Sequence, residues 1–250
     1  MERSDRDGLD WNERGLRMVR DVDAGQWIVD RVHGFDHTVA SLLPPNFAAY
    51  ARIFHPAATA GGRSVRWAEV AAANGTTVHP VMEWGSIVGT WDAPGQPGVW
   101  DDEPSQGSLP PPTARTLTTI LGRFTGTPET CWFGHWEGSG EVSAPSDHRR
   151  LLMPARDMVL FTGTLDMADT QFGATREFPA GTSAHLWWPD DHAWCVATDI
   201  DLMSTYLGAS EACVAAVLAE EELEALPAHA DQSLTWDSDT VNPLPPEPDS

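Results

Sequence analysis

Residues 185–208, HLWWPDDHAWCVATDIDLMSTYLG, combine three tryptophans, four aspartates, two histidines and a cysteine, the densest such segment of the chain. The first apolar run of this segment predicts a strand. The Pro-Asp-Asp-His segment predicts a turn, because Pro and Asp favour turns. The residues that follow predict a return strand. Side chains of a strand alternate between its two faces. One face of the return strand is therefore expected to be a core face with Trp194, Val196, Thr198, Ile200 and Leu202. The other face carries Ala193, Cys195, Ala197, Asp199 and Asp201.

Asp199 and Asp201 close this second face with two carboxylates, about 7 Å apart at a rise of about 3.3 Å per residue. Carboxylate oxygens could hold a divalent metal ion, with His192 from the turn as a further ligand and His185 opposite it. They could also serve acid–base chemistry if burial separates their pKa values. The third interpretation is a solvated strand end. The spacing matches no zinc motif, and Asp190 and Asp191 are also explained by a polar turn, although they remain candidate binding residues.

The elements outside the hairpin alternate irregularly. Helices are predicted at 64–75, 113–124 and 210–226, where Ser64, Thr113 and Ser210 can act as N-caps. The spacing predicts strands at 129–138 and 156–165, and the run 26–32 has a strand-like apolar density. For the segment 38–56, periodicity does not distinguish a helix from a strand. This order predicts an α+β fold: a single domain with a mixed, mainly antiparallel sheet and a few packed helices.

Composition predicts the limits of the domain and its compartment. Residues 1–25 form a polar N-terminal arm, residues 26–228 the α+β domain, and residues 229–250 an acidic, Pro-rich tail whose end is not expected to pack. The charged start lacks the apolar region of a signal peptide, and no apolar run reaches the roughly 18 residues of a membrane span. The three cysteines are an odd number, which favours reduced thiols and a cytoplasmic location.

Charge is the strongest global signal. The chain has 37 Asp and Glu against 15 Lys and Arg, a formal net charge of −22, and it contains no lysine. Arg176 is the last basic residue, and 15 acidic residues follow it. Such a surface repels nucleic acid and anionic membranes and attracts a basic protein partner or metal ions. Biased genome composition would explain the same numbers without any partner.

Twelve tryptophans are unusual for one domain. Trp84, Trp91 and Trp100 lie in or beside the Pro- and Gly-rich segment 92–112, where a complete core role is harder to arrange. Aromatic rings above acidic groups could bind a cationic or sugar-like ligand, or form a hot spot for a protein partner. The alternative is that these rings fold back onto the core.

Reactive motifs are scarce. The sequence has no G-x-S-x-G, Walker or Rossmann pattern. Cys131 and Cys195 each adjoin a tryptophan on a predicted strand, which is typical of small buried core residues rather than nucleophiles.

Two resemblances add to this interpretation. The segments FAAYARIFHP, VRWAEVAAANG, CWFGHWEG and the opening hairpin resemble a family of uncharacterised proteins from high-GC bacteria, over about residues 40 to 210, and that resemblance implies no activity. The segment LLPPNFAAYARIF, with the later strands and the acidity, resembles the SUKH superfamily of immunity proteins, although His55–Pro56 stands where those proteins carry Asn-Gly. This second resemblance implies a protein that neutralises a partner by binding it.

Two functional hypotheses follow. The first is a non-enzymatic cytosolic binding domain, immunity- or adaptor-like, that engages a basic protein. The second is a metal-assisted hydrolase that uses Asp199 and Asp201 with His192 or His185. No cofactor is predicted beyond a possible divalent metal. Neither nucleic acid nor a membrane is expected as a partner.

Overall fold

The computed structural model describes residues 8–12, 14–175 and 181–246 of the chain. The helices are α1 (Gln26–Val29), α2 (Trp67–Asn74), α3 (Trp84–Val88), α4 (Pro111–Leu121) and α5 (Glu211–Leu218). The strands are β1 (Gly8–Asp10), β2 (Arg17–Val19), β3 (Ala49–Phe54), β4 (Ala57–Ala58), β5 (Ser64–Val65), β6 (Cys131–Trp136), β7 (Leu151–Met153), β8 (Arg156–Gly163), β9 (Leu186–Pro189), β10 (Cys195–Ala197), β11 (Ser204–Ala209) and β12 (Ala225–Ala228). The predicted α+β class is confirmed.

One large sheet organises the described chain. Its strands lie in the order β1-β2-β8-β6-β9-β10-β11-β3-β12, with β7 paired to β8 at one end, and the described pairs are antiparallel. The opening stretch occupies the centre: Val196 lies opposite Trp187 of β9 and opposite Leu207 of β11. The short strands β4 and β5 form a separate pair.

Both faces of this sheet are buried, which corrects the expectation of one core face. Trp194 and Val196 pack into a cluster with α4 and α5. Cys195 and Ala197 pack into a second cluster on the other face, with α1 and the segment 39–43. The strand ends at Ala197, so the residues from Thr198 to Met203 form a loop to β11 rather than a continued strand. A third cluster, rich in tryptophan, joins the end of β3 to α2 and α3.

Helix limits differ from the predictions at their ends. The first predicted helix begins after Arg66, because Ser64 and Val65 pair with β4 instead of capping it. The helix predicted at 113–124 begins at Pro111, which suits the first turn because that position needs no N–H donor. The strand-like run 26–32 is helical at its start, in α1. The undecided segment 38–56 contains β3.

The C-terminal helix is shorter than predicted. Ser210 caps α5 by accepting a hydrogen bond from the Cys213 amide at 3.3 Å, as expected. The helix ends at Leu218, so Glu220, Glu221, Glu222 and Glu224 lie between it and β12 rather than inside the helix.

The described parts of the predicted arm and tail belong to the domain. Residues 8–10 and 17–19 form β1 and β2 at one edge of the sheet. The prediction that the end of the chain cannot pack is wrong for residues 242–246, since Asn242 and Pro245 are buried. A polar contact contributes to this, because the Asn242 side chain accepts a hydrogen bond from the Thr77 amide at 2.8 Å. Residues 1–7 and 247–250 lie outside the described residues.

Candidate functional site

The three predicted metal ligands are not brought together. His192 lies in the turn between β9 and β10, where its ring stacks on Trp27 at 4.3 Å. Asp199 and Asp201 lie in the loop at the opposite end of β10, and both carboxylates pair with Arg156, each at 3.3 Å. Within residues 8–12, 14–175 and 181–246, no group of three or more His, Cys, Asp and Glu side chains could hold a metal ion. Asp199 and Asp201 therefore form a small ion-pair network with Arg156.

Asp190 and Asp191 fix the turn of the central hairpin to its neighbours. Asp191 accepts a hydrogen bond from the Gly126 amide at 2.6 Å and another from the Thr125 hydroxyl at 2.9 Å. Asp190 accepts one from the indole N–H of Trp132 at 3.1 Å. Both carboxylates therefore accept hydrogen bonds from other parts of the chain, which agrees with the polar-turn interpretation.

The predicted tryptophan trio is split between core and surface. Trp84 and Trp100 are buried, with 8% and 1% of their surface exposed, and their ring centroids are 5.2 Å apart. The ring of Trp67 in α2 lies 5.2 Å from that of Trp84 and extends the same aromatic cluster. Only Trp91 is half-buried, and it meets Trp236 edge-on at 5.4 Å. The segment around Trp84 and Trp100 thus folds back as core, and Trp91 leads to a surface that sequence reasoning missed.

That surface gathers the exposed apolar side chains. Within the described residues, five large hydrophobic side chains are exposed, and four of them lie on or against the C-terminal segment, all but Leu152. Together with Trp91 they form what we call the C-terminal strip: Val78, Trp91, Trp236, Val241 and Leu244. Trp236 is the most exposed of them, at 62%.

The strip is continuous with α3. A β-carbon built on Gly85 would lie 2.6 Å from the Trp91 ring and 3.4 Å from the side chain of Pro245, so both residues pack against that glycine. Pro245 follows Leu244, and Trp91 contacts Trp236, which links these parts of the strip. Val78 follows Thr77 in the sequence, and the Thr77 amide donates a hydrogen bond to the side chain of Asn242, the residue after Val241.

Buried polar contacts hold the C-terminal segment in place. Asp239 accepts hydrogen bonds from His79 at 2.9 Å and from the Asn242 amide at 2.8 Å. Burial acts to raise the pKa of Asp239, but the hydrogen bonds from Asn242 and its neighbours outweigh it and lower that pKa. Ser238 donates to Glu83 at 3.2 Å, and the Leu234 amide donates to the carbonyl of His37 at 2.8 Å. Trp236 is therefore displayed on an anchored segment.

The parts of the chain that form the strip contain no Lys or Arg. The sequence has neither Lys nor Arg between residues 67 and 114, or after Arg176. Arg52 reaches this region from β3, but its side chain is 2% exposed and paired with Glu83 at 3.0 Å. Asp92 and Asp237, each next to a strip tryptophan in sequence, are exposed. A tryptophan inside the polar, Pro-rich C-terminal segment was the signal in the sequence that could have identified this surface.

The buried thiols are poor nucleophiles. Cys131, Cys195 and Cys213 are unpaired and buried. Burial raises the pKa of Cys131 to about 12 and that of Cys213 to about 11, and it raises the pKa of Cys195 as well. Since the thiolate is the reactive form, none of the three is activated at neutral pH.

Comparisons with protein-family models, with curated proteins and with solved structures found no match for this chain. No helix within the described ranges has both the length and the apolar character to cross a membrane.

Proposed function

We propose that this protein is a non-enzymatic binding domain of the cytosol, and that it engages a basic protein partner through the C-terminal strip. The observation that carries this proposal is the gathering of exposed apolar side chains on the C-terminal segment, next to exposed carboxylates, in parts of the chain that contain no Lys or Arg. Apolar patches of this kind on otherwise polar surfaces mark interaction sites. Trp236 has the properties of a hot-spot residue, since tryptophan combines a large apolar area with an indole N–H donor.

Charge complementarity selects the partner. The net charge of −22 attracts basic surfaces over long range and repels nucleic acid and anionic lipid. Asp92 and Asp237 beside the strip would pair with Lys or Arg at the rim of the interface. The expected partner segment thus carries a large apolar side chain flanked by basic residues. A second copy of this chain is disfavoured, because it would bring two anionic faces together.

The contacts of the carboxylate pair weigh against the hydrolase hypothesis. Arg156 engages both Asp199 and Asp201, so neither carboxylate is free to bind a metal ion without breaking an ion pair. His192 lies at the other end of the strand. We therefore propose binding alone.

Selection of binders from a random peptide library tests the proposal. We expect the full chain to enrich peptides that combine Lys or Arg with a large apolar residue, and their affinity to fall as salt is raised. Trp236→Ala should weaken binding of these peptides at least about tenfold, which is about 1.4 kcal/mol. Titration of one labelled, enriched peptide against each variant measures this.

Leu152→Ala is the matched control, since Leu152 is as exposed as Trp236 but lies on β7, outside the strip. It should bind the peptides as the original chain does. Equal affinity of the Trp236→Ala variant, enrichment of acidic peptides, or a stable dimer that Trp236→Ala dissociates would each refute the proposed partner.

A further inference from the structure

A cavity beside the start of α2 is lined by separate parts of the chain. It has a volume of about 320 Å³, close to the lower limit of small-molecule sites. Its walls come from the end of β3, from β5 and the first turn of α2, from the first half of α4, and from the segment that precedes β12. The cavity shares no lining residue with the C-terminal strip.

Part of the lining is apolar and buried. Phe54 and Leu223 belong to it, and they are 1% and 5% exposed. Pro56, which follows β3, and Pro112, in the first turn of α4, add further apolar surface. A ligand with a hydrocarbon part would therefore gain free energy by removing that part from water here.

Carboxylates outnumber guanidinium groups around this cavity. Glu69, Glu222 and Glu224 line it together with one arginine, Arg66. Arg63, outside the lining, pairs with Glu69 at 2.9 Å, so the excess negative charge belongs to Glu222 and Glu224. Charge complementarity therefore favours a cation in this cavity and disfavours an anion.

The two carboxylates in excess are held in place by contacts within the fold. The oxygens of Glu224 each accept one hydrogen bond from a backbone amide of α2, at 2.6 and 2.8 Å. Glu222 accepts one from the hydroxyl of Thr116 at 3.1 Å. Each of these oxygens can accept a second hydrogen bond, because a carboxylate oxygen has two lone pairs. The acceptors are thus positioned in advance, which lowers the entropic cost of binding.

We infer that this cavity binds a free small organic cation, whose ammonium or guanidinium group donates to Glu222 and Glu224 while an aliphatic chain lies against Phe54 and Leu223. A guanidinium group suits the carboxylates well, since it can donate two parallel N–H bonds to one of them. A bare metal ion would leave the apolar part of the lining unused. This site is independent of the proposed protein partner.

Three probes test the inference on the full chain in a low-salt buffer. Butylguanidinium combines the charge with an aliphatic chain, butylurea has nearly the same shape without the charge, and guanidinium has the charge without the chain. We expect butylguanidinium to bind at least about tenfold more tightly than either of the other two in calorimetric titrations. Carbon-13 NMR spectra should show that it shifts the side-chain carboxyl resonances of Glu222 and Glu224.

Glu222→Gln removes one carboxylate from an exposed part of the lining and should weaken the binding of butylguanidinium at least about threefold. Glu221→Gln is the matched control, since it removes the same charge from the neighbouring exposed side chain outside the lining, and it should bind the probe nearly as the original chain does. Equal losses in both variants would mean that total charge attracts the probe without a site, and would overturn the inference. Butylurea or guanidinium binding as tightly as butylguanidinium, or unchanged carboxyl resonances of Glu222 and Glu224, would overturn it as well.

Discussion

Glu224 shows how a single side chain joins distant parts of this chain. Its two carboxylate oxygens accept hydrogen bonds from the amides of Trp67 and Ala68, at 2.6 and 2.8 Å, at the first turn of α2. Burial raises the pKa of Glu224, and these backbone hydrogen bonds act in the opposite direction. The sequence suggested Ser64 as the N-cap of this helix, because local patterns can only indicate caps that are close in the chain. Glu224 is 157 positions from Trp67.

Glu224→Gln should lower the free energy of unfolding by about 1–2 kcal/mol, because the amide NH₂ would face a backbone N–H that then lacks an acceptor. Denaturant unfolding monitored by circular dichroism measures this. Glu221→Gln is the control, since Glu221 lies exposed in the same acidic run, and it should change stability little. A Glu224→Gln variant as stable as the control would rule out the capping role.

At the scale of elements, the loop after β10 depends on a glycine far away in sequence. Gly107 has a φ of +71°, and a β-carbon there would lie 2.7 Å from the carbonyl oxygen of Ile200. The Gly107 amide also donates to the carbonyl of Leu202 at 2.9 Å. This close approach fixes the loop that carries Asp199 and Asp201. Sequence alone placed these two residues on a strand, because alternation continues past the point where the strand ends.

Gly107→Ala should destabilise the protein by about 2–4 kcal/mol, from the left-handed backbone together with the steric conflict. Gly75→Ala isolates the first contribution, since Gly75 at the end of α2 has a φ of +69° and open space around its α-carbon. It should cost only about 1 kcal/mol. Thermal or chemical unfolding of both variants measures the difference, and equal losses would show that the Ile200 contact is unimportant.

Across the whole molecule, excess negative charge opposes folding. A formal net charge of −22 on 250 residues produces self-repulsion that is stronger in the compact state than in the unfolded chain. Several arginines offset it locally through ion pairs such as Arg20–Asp147 and Arg63–Glu69. Exposed pairs of this kind contribute little to stability individually.

The melting temperature should therefore rise when sodium chloride is added to a low-salt buffer. Most of the increase should occur below roughly 0.2 M, where the Debye length falls under about 10 Å. Differential scanning calorimetry over a salt series measures this. A melting temperature that falls in this range would mean that ion pairs outweigh repulsion, and a strictly linear rise to high salt would indicate a general salt effect on hydration.

Local patterns and composition were enough to predict the hairpin of β9 and β10, the α+β class, the Ser210 cap of α5 and the negative charge. These features depend on neighbouring residues or on composition, and periodicity and turn chemistry report them directly. Local patterns and composition could not predict that Asp199 and Asp201 pair with Arg156, that Trp84 and Trp100 are core residues, or that Trp236 is exposed on an anchored segment. Those outcomes depend on contacts between residues far apart in the chain, and the competition among such contacts is settled only when the whole core packs.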